Sequence, residues 1–157
     1  MSAALAEYPK TVVLKDGAHL VLRPLAPGDR EALSSLLARV PPAERHGVGL
    51  DGADPLVLAW DGEHLAGAIG LARRQAEVAE VGLVVDSAYR GRRLGTWMLL
   101  DAVHLAAGLG CESVRAPIGA GDDGYRAALR RLDFVEDAAR GSAPVLVKKL
   151  HAAWTDF

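Results

Sequence analysis

The chain has 157 residues, half of them hydrophobic and 24% charged, with a formal net charge of −2. Against roughly 150 residues per domain, this predicts one domain over 1–157, able to bury about 68–70% of its extended-chain surface without disulfide staples. The balance excludes a disordered or collagen-like chain and any membrane span of ~20 apolar residues, and it gives no support to bulk nucleic-acid binding.

The opening Met1-Ser2-Ala3-Ala4-Leu5-Ala6-Glu7 has neither the basic start nor the long apolar stretch of a signal peptide, so a cytoplasmic location is expected. The folding unit is expected over about 11–150. Val12-Val13-Leu14 and His19-Leu20-Val21-Leu22 flank an Asp16-Gly17 hairpin turn. Pro27, Asp29 and Glu31 then start a helix whose Leu33, Leu36, Leu37 and Val40 fall at helical spacing, and Pro41-Pro42 stops it. Residues 43–54 are glycine-rich and weakly patterned, which reads as a loop or short helix. A second hairpin is expected at 56–60 and 65–69 around Asp61-Gly62.

Val78–Val85 reads as a strand with two usable faces, Ala79, Val81, Leu83 and Val85 on one, Glu80, Gly82 and Val84 on the other. Arg90-Gly91-Arg92-Arg93-Leu94-Gly95-Thr96 runs from it into an apolar helix striped by Leu94, Met98, Ala102, Leu105 and Leu109, which Gly108 or Gly110 can end. A strand over 111–117, a helix over 122–132 and closing strands at 134–136 and 145–150 follow. Strands that precede, interleave with and follow the helices predict an α+β fold: a mixed, mostly antiparallel sheet with helices on both faces.

The corner at 90–96 carries the chemistry. A helix start leaves N–H groups unpaired and bears about half a positive charge. Glycine lets a phosphate approach the backbone closely, and Arg90, Arg92 and Arg93 add positive potential to a slightly acidic chain. The residues therefore predict an anion site suited to a pyrophosphate; the plainer alternative is a solvated basic turn capping a helix. Walker-loop and dinucleotide spacings are both missing.

Arg90-Gly91-Arg92-Arg93-Leu94-Gly95, preceded by the strand, resembles the acyl-CoA motif Arg/Gln-x-x-Gly-x-Gly/Ala of the GNAT superfamily of N-acetyltransferases. Arg93 stands at the usual middle glycine, which implies a backbone angle that a side chain tolerates. Leu22-Arg23-Pro24-Leu25 followed by Asp29 is similar to the family's lead-in to its first helix, most like the GNAT domains of bacterial protein-lysine acetyltransferases. Leu132-Asp133-Phe134 resembles the Leu-Gly-Phe after its last helix, with Asp133 replacing glycine.

The resemblance implies acetyl-CoA as co-substrate and an amine acceptor, either a small molecule or a protein lysine or N-terminus. It implies that the backbone of Leu83, Val84 and Val85 holds the pantetheine arm. The backbone of Arg92, Arg93, Leu94, Gly95 and Thr96 would hold the pyrophosphate, with Gly91 in the turn and the Arg90 side chain ordering it. It also implies a catalytic glutamate near Glu80, whose alternative is a strand residue paired with Arg73 or Arg74; Glu77 is the fallback. The family's usual tyrosine acid falls at Leu129, so Tyr125, one turn earlier, is the candidate acid, against a plain packing role or release of free thiolate.

Direct transfer through a ternary complex is expected because no activated nucleophile is visible; the competing reading is a non-catalytic acyl-CoA-binding regulatory module. Histidines 19, 46, 64, 104 and 151 lack ligand spacing, so no metal is expected. Asp101–His104 reads as a surface pair, Cys111 as a buried inert thiol that has no cysteine to pair with, and Trp60 and Trp97 as core or cleft-wall residues. Trp154 and Phe157 could cover the sheet or a second subunit in a homodimer.

Overall fold

The computed structural model describes residues 7–47, 50, 53–75, 77–119, 122–137 and 144–150. The elements run β1 (Lys10–Val13), β2 (His19–Pro24), α1 (Arg30–Arg39), β3 (His46–Gly47), β4 (Leu56–Asp61), β5 (His64–Gln75), β6 (Val78–Val85), α2 (Leu94–Gly108), β7 (Ser113–Pro117), α3 (Asp123–Arg131), β8 (Val135–Glu136) and β9 (Val145–Lys149). The sheet order is β1-β2-β4-β5-β6-β7-β9-β8, with β3 against β6. All pairings are antiparallel except β6 with β7. The mixed, mostly antiparallel sheet expected from the sequence is what forms. Among the described residues no helix is long and apolar enough to cross a membrane.

Two apolar cores lie on the two faces of the sheet. Leu33 and Leu36 of α1, with Val40 just past its end, pack with Leu56, Leu58, Ala68 and Val84. On the other face Leu94, Met98, Ala102 and Leu105 of α2, with Tyr125 and Leu129 of α3, pack on Ala79, Val81, Leu83 and Val85. The period-2 alternation of β6 thus decides which side chains meet which helix. The lead-in to α1 is locked by a fork: Arg23 donates to both oxygens of Asp29 at 2.6 and 3.2 Å. The guanidinium holds the Asp29 carboxyl below the usual carboxylate range.

Both later helices end in the same hydrogen-bond pattern. After α2, Gly110 N–H donates to the Ala107 carbonyl and Cys111 N–H to Ala106, with Gly110 at φ 85°. After α3, Asp133 N–H donates to Arg130 and Phe134 N–H to Leu129, with Asp133 at φ 69°. This six-to-one closure needs a left-handed residue, normally glycine. Asp133 accepts that conformation and also places a negative charge at the negative end of the helix dipole. Asp133→Gly is therefore expected to stabilise the fold by about 1 kcal/mol, read as a rise in Tm of about 2–4 °C; a lower Tm would contradict it.

Several expectations need correction. In the described part of the 43–54 stretch, expected as a loop or short helix, a 3-10 turn at Pro42–Glu44 leads into a strand that was not expected, β3, which bonds to the middle of the sheet. Strand β5 runs on to Gln75 because β6 pairs with it along its length. Asp101 is no surface partner of His104: it is buried and accepts from Tyr8 Oη and from Lys10 Nζ at 2.7 Å. Trp97 is 40% exposed because α2 turns Leu94, Met98 and Leu99 inward instead. Trp60 does pack on the α1-side core, under the Arg23 guanidinium at 4.7 Å, and Cys111 is buried. Trp154 and Phe157 lie outside the described residues.

Candidate active site

Strand β6 organises the site. β5 holds one edge from Val78 to Val85, whereas parallel β7 holds the other only at Val78, Ala79 and Glu80. Past Glu80 the two strands part, and β3 fills the opening, His46 opposite Leu83 and Gly47 opposite Gly82. Gly47 is there because nothing larger fits: at φ 74°, a Cβ would fall 2.1 Å from the Val81 carbonyl oxygen. The backbone of Leu83, expected to hold a pantetheine arm, therefore already pairs with β3.

Beyond β6, Asp86 accepts from Ala88 N–H at 3.1 Å and turns the chain. Tyr89 is buried and donates to Asp61 at 2.6 Å. Gly91 then takes φ 73° and Arg93 φ 72°. The angle that Arg93 was expected to tolerate is the left-handed one that glycine prefers, which a side chain accepts at a cost of about 1–2 kcal/mol. Arg93 is also the N-cap of α2 and makes no capping bond. A cation at that end, with no oxygen acceptor, leaves the first-turn N–H groups of Leu94, Gly95 and Thr96 for an anion.

The three arginines separate. Arg92 turns away to Asp16 at 2.7 Å and stacks over Tyr89 at 4.6 Å, so only its backbone belongs to the corner. Arg90 pairs with Glu44, tying the corner to the turn before β3. Arg93 lines a cleft of about 410 Å³ together with Gly91, Gly95 and Thr96 of the corner. Leu83 and Val85 supply its apolar floor, and Arg90 and, from α3, Arg131 line it as further cations.

At its other end stand residues that sequence reasoning did not bring together. His46 Nδ1 lies 2.6 Å from Asp122 Oδ1, across 76 positions of chain. Asp122 is buried, and its Oδ2 accepts from Gly119 N–H at 2.7 Å. The His46 ring stacks on Tyr125 at 4.6 Å and 12°. Tyr125 lines the cleft with its ring, while its hydroxyl is buried without a hydrogen-bond partner among the described residues. Burial first, and the Asp122 charge second, push the Tyr125 pKa well up. Leu129, at the family's tyrosine position, is fully buried core.

Glu80 is half-buried on the opposite, α1-side face, level with Ala72 of β5 and Arg115 of β7, where the strands part. Val84 also faces α1 and can reach the cleft only through its backbone. Among the described residues no group of His, Cys, Asp and Glu is placed to hold a metal ion.

This architecture has known counterparts. The GNAT domain of S. lividans PAT superposes with a TM-score of 0.77 at 17% identity, covering 92% of this chain and 98% of that one. The Salmonella typhimurium protein yncA, solved with its cofactor acetyl-CoA, gives 0.67 at 15% identity over 85% and 95%. The cAMP-binding acyltransferase from Mycobacterium smegmatis gives 0.66 at 20% identity; it covers 97% of this chain, which spans 51% of that protein. At such identities the likeness is one of fold. No curated protein sequence matches. The profile of the acetyltransferase (GNAT) family, however, matches residues 28–134, the stretch that contains α1, the corner, the cleft and Phe134. The chain belongs to the acetyltransferase (GNAT) family and is an acyltransferase by class.

Proposed function

We propose that this chain transfers the acetyl group of acetyl-CoA directly to an amine within a ternary complex. The observation that carries the reading is the cleft itself, which leads from an uncapped, cationic helix start over Leu83 and Val85 to His46 and Tyr125. The diphosphate would lie on the amides of Leu94, Gly95 and Thr96 beside Arg93, and the pantetheine arm over Leu83 and Val85. Three arginines, Arg90, Arg93 and Arg131, line the cleft with no acid among its lining residues, which fits a polyanionic ligand.

The acceptor nitrogen must lose a proton before it attacks. A lysine-like amine with a pKa of about 10.4 is neutral only once in ~2,500 molecules at pH 7, a cost of ~4.6 kcal/mol. Glu80 is the proposed base, directly or through one water, and the α1 side of the sheet is then where the amine enters. Tyr125, the candidate acid, is assigned the packing role instead: its hydroxyl is buried, its ring walls the cleft beside His46, and its raised pKa makes it a poor source of a proton. Cys111, the chain's one cysteine, is packed in the α2-side core, which favours direct transfer over an acyl-enzyme.

Two measurements test this. Titration calorimetry should give acetyl-CoA a Kd in the ~1 µM–1 mM range typical of enzyme substrates, with pyrophosphate much weaker. Thiol release should then appear with at least one class among small primary amines, lysyl peptides and free peptide N-termini. Binding with no turnover on all three would favour the non-catalytic acyl-CoA-binding module. Equal affinity for acetyl-CoA and pyrophosphate would leave a phosphate-recognising adaptor.

A further inference from the structure

We propose that His46 is the proton donor to the departing CoA thiolate, with Asp122 as its positioning residue, an inference that rests on the acetyl-transfer reading above. An arm laid along β6 from the first turn of α2 passes Val85 and reaches Leu83, whose partner across the strand pair is His46. Partners in register share a face of the sheet, so the imidazole stands over the same cleft as the Leu83 side chain. A two-residue strand thus sets a titratable ring at the end of the thioester's track.

The ring is held in three ways. Nδ1 is engaged by Asp122 at 2.6 Å, which leaves Nε2 for the cleft. Asp122 is fixed in turn, because its second oxygen accepts from Gly119 N–H. Stacking on Tyr125 sets the plane of the imidazole. The segment leading to it is pinned as well: Arg45 Nε donates to the Val40 carbonyl at 3.1 Å, and Glu44 pairs with Arg90 of the corner. With Nδ1 held by Asp122, Nε2 is the ring atom left to exchange a proton with a group in the cleft.

The step balances. The amine nitrogen forms the C–N bond to the acetyl carbon, the C–S bond breaks, and its electron pair stays on sulfur. One N–H proton passes to the Glu80 carboxylate, and the Nε2 proton of the His46 imidazolium passes to sulfur. Protonated Glu80 and neutral His46 then return to their starting states by exchange with water.

The test is His46→Gln, which keeps an N–H for Asp122 and carries no transferable proton, alongside His46→Ala with added imidazole. In His46→Gln, kcat should fall about 10²-fold, with the acetyl-CoA Kd within about threefold of the wild type. In His46→Ala, activity should return in proportion to imidazole concentration, which a purely structural role for His46 would not allow. Wild-type kcat in His46→Gln, or a loss in His46→Ala that imidazole leaves untouched, would overturn the proton-donor role while leaving acetyl transfer standing. A wild-type chain that turns over no amine would overturn both.

Discussion

Glu80→Gln is expected to lower kcat by about 10²–10³-fold, within the span ascribed to one positioned acid or base, while acetyl-CoA affinity stays within about threefold. The separation follows from the sheet. The cleft floor is Leu83 and Val85 on the α2 side, and Glu80 faces α1, so the change removes a proton acceptor without touching the thioester's walls. Its place on β6 is at the last residue paired with β7, just before β3 takes over that edge. The size of the loss is bounded by the ~4.6 kcal/mol needed to deprotonate a lysine-like amine at pH 7. A pH series adds a sign. The neutral fraction of such an amine rises tenfold per pH unit up to its pKa of about 10.4, so the variant's deficit should shrink as pH rises. A thiol-release assay at saturating acetyl-CoA reads both. Unchanged kcat in the variant removes Glu80 as the base, and a deficit constant from pH 7 to pH 10 would assign it a role other than proton removal.

What could be read in advance was local. The alternation Ala79, Val81, Leu83, Val85 against Glu80, Gly82, Val84 is a property of eight consecutive residues, and the structure distributes those side chains between the two cores as the period dictates. The corner was legible for the same reason, since helix start, glycines and arginines sit side by side. The far end of the cleft was not. His46 and Asp122 meet across 76 positions, through a strand of two residues that has no periodicity to detect. The reason position 47 is glycine is the closeness of the Val81 carbonyl, visible only once β6 is in place. Arg93 and Asp133 teach a related lesson. Both replace glycines of the family pattern, and both keep a positive φ, at 72° and 69°. The backbone kept its turn where the residue changed, so the identity at those positions understates the geometry. Asp101 was misjudged because Tyr8 and Lys10, ahead of the expected folding unit, reach back to it.

Gly95→Val should weaken acetyl-CoA binding about 100-fold, or 2.7 kcal/mol, with the fold intact, whereas Gly95→Ala should stay within about threefold. Gly95 is the second residue of α2, and a Cβ there would lie 3.5 Å from Leu83 Cδ2 and 3.9 Å from Val85 Cγ2, ordinary contact distances. One methyl is therefore accommodated on the cleft floor, in keeping with a family motif that admits Gly or Ala at this place. The two further carbons of valine have nowhere to go but into the angle between the floor and the first-turn amides. With the diphosphate seated in that angle the added volume meets the ligand, and forcing volume into a filled space costs about 1–3 kcal/mol. The floor does not retreat to make room, because the Leu83 backbone is paired on one edge with β5 and on the other with β3. The ligand-free protein feels only the lower helix propensity of a β-branched residue, a few tenths of a kcal/mol up to about 0.7, so its Tm should hardly move. Calorimetry on the three proteins distinguishes the cases. A valine variant that binds as tightly as the wild type would place the diphosphate away from the first turn of α2, and with it the direction in which the thioester enters the cleft.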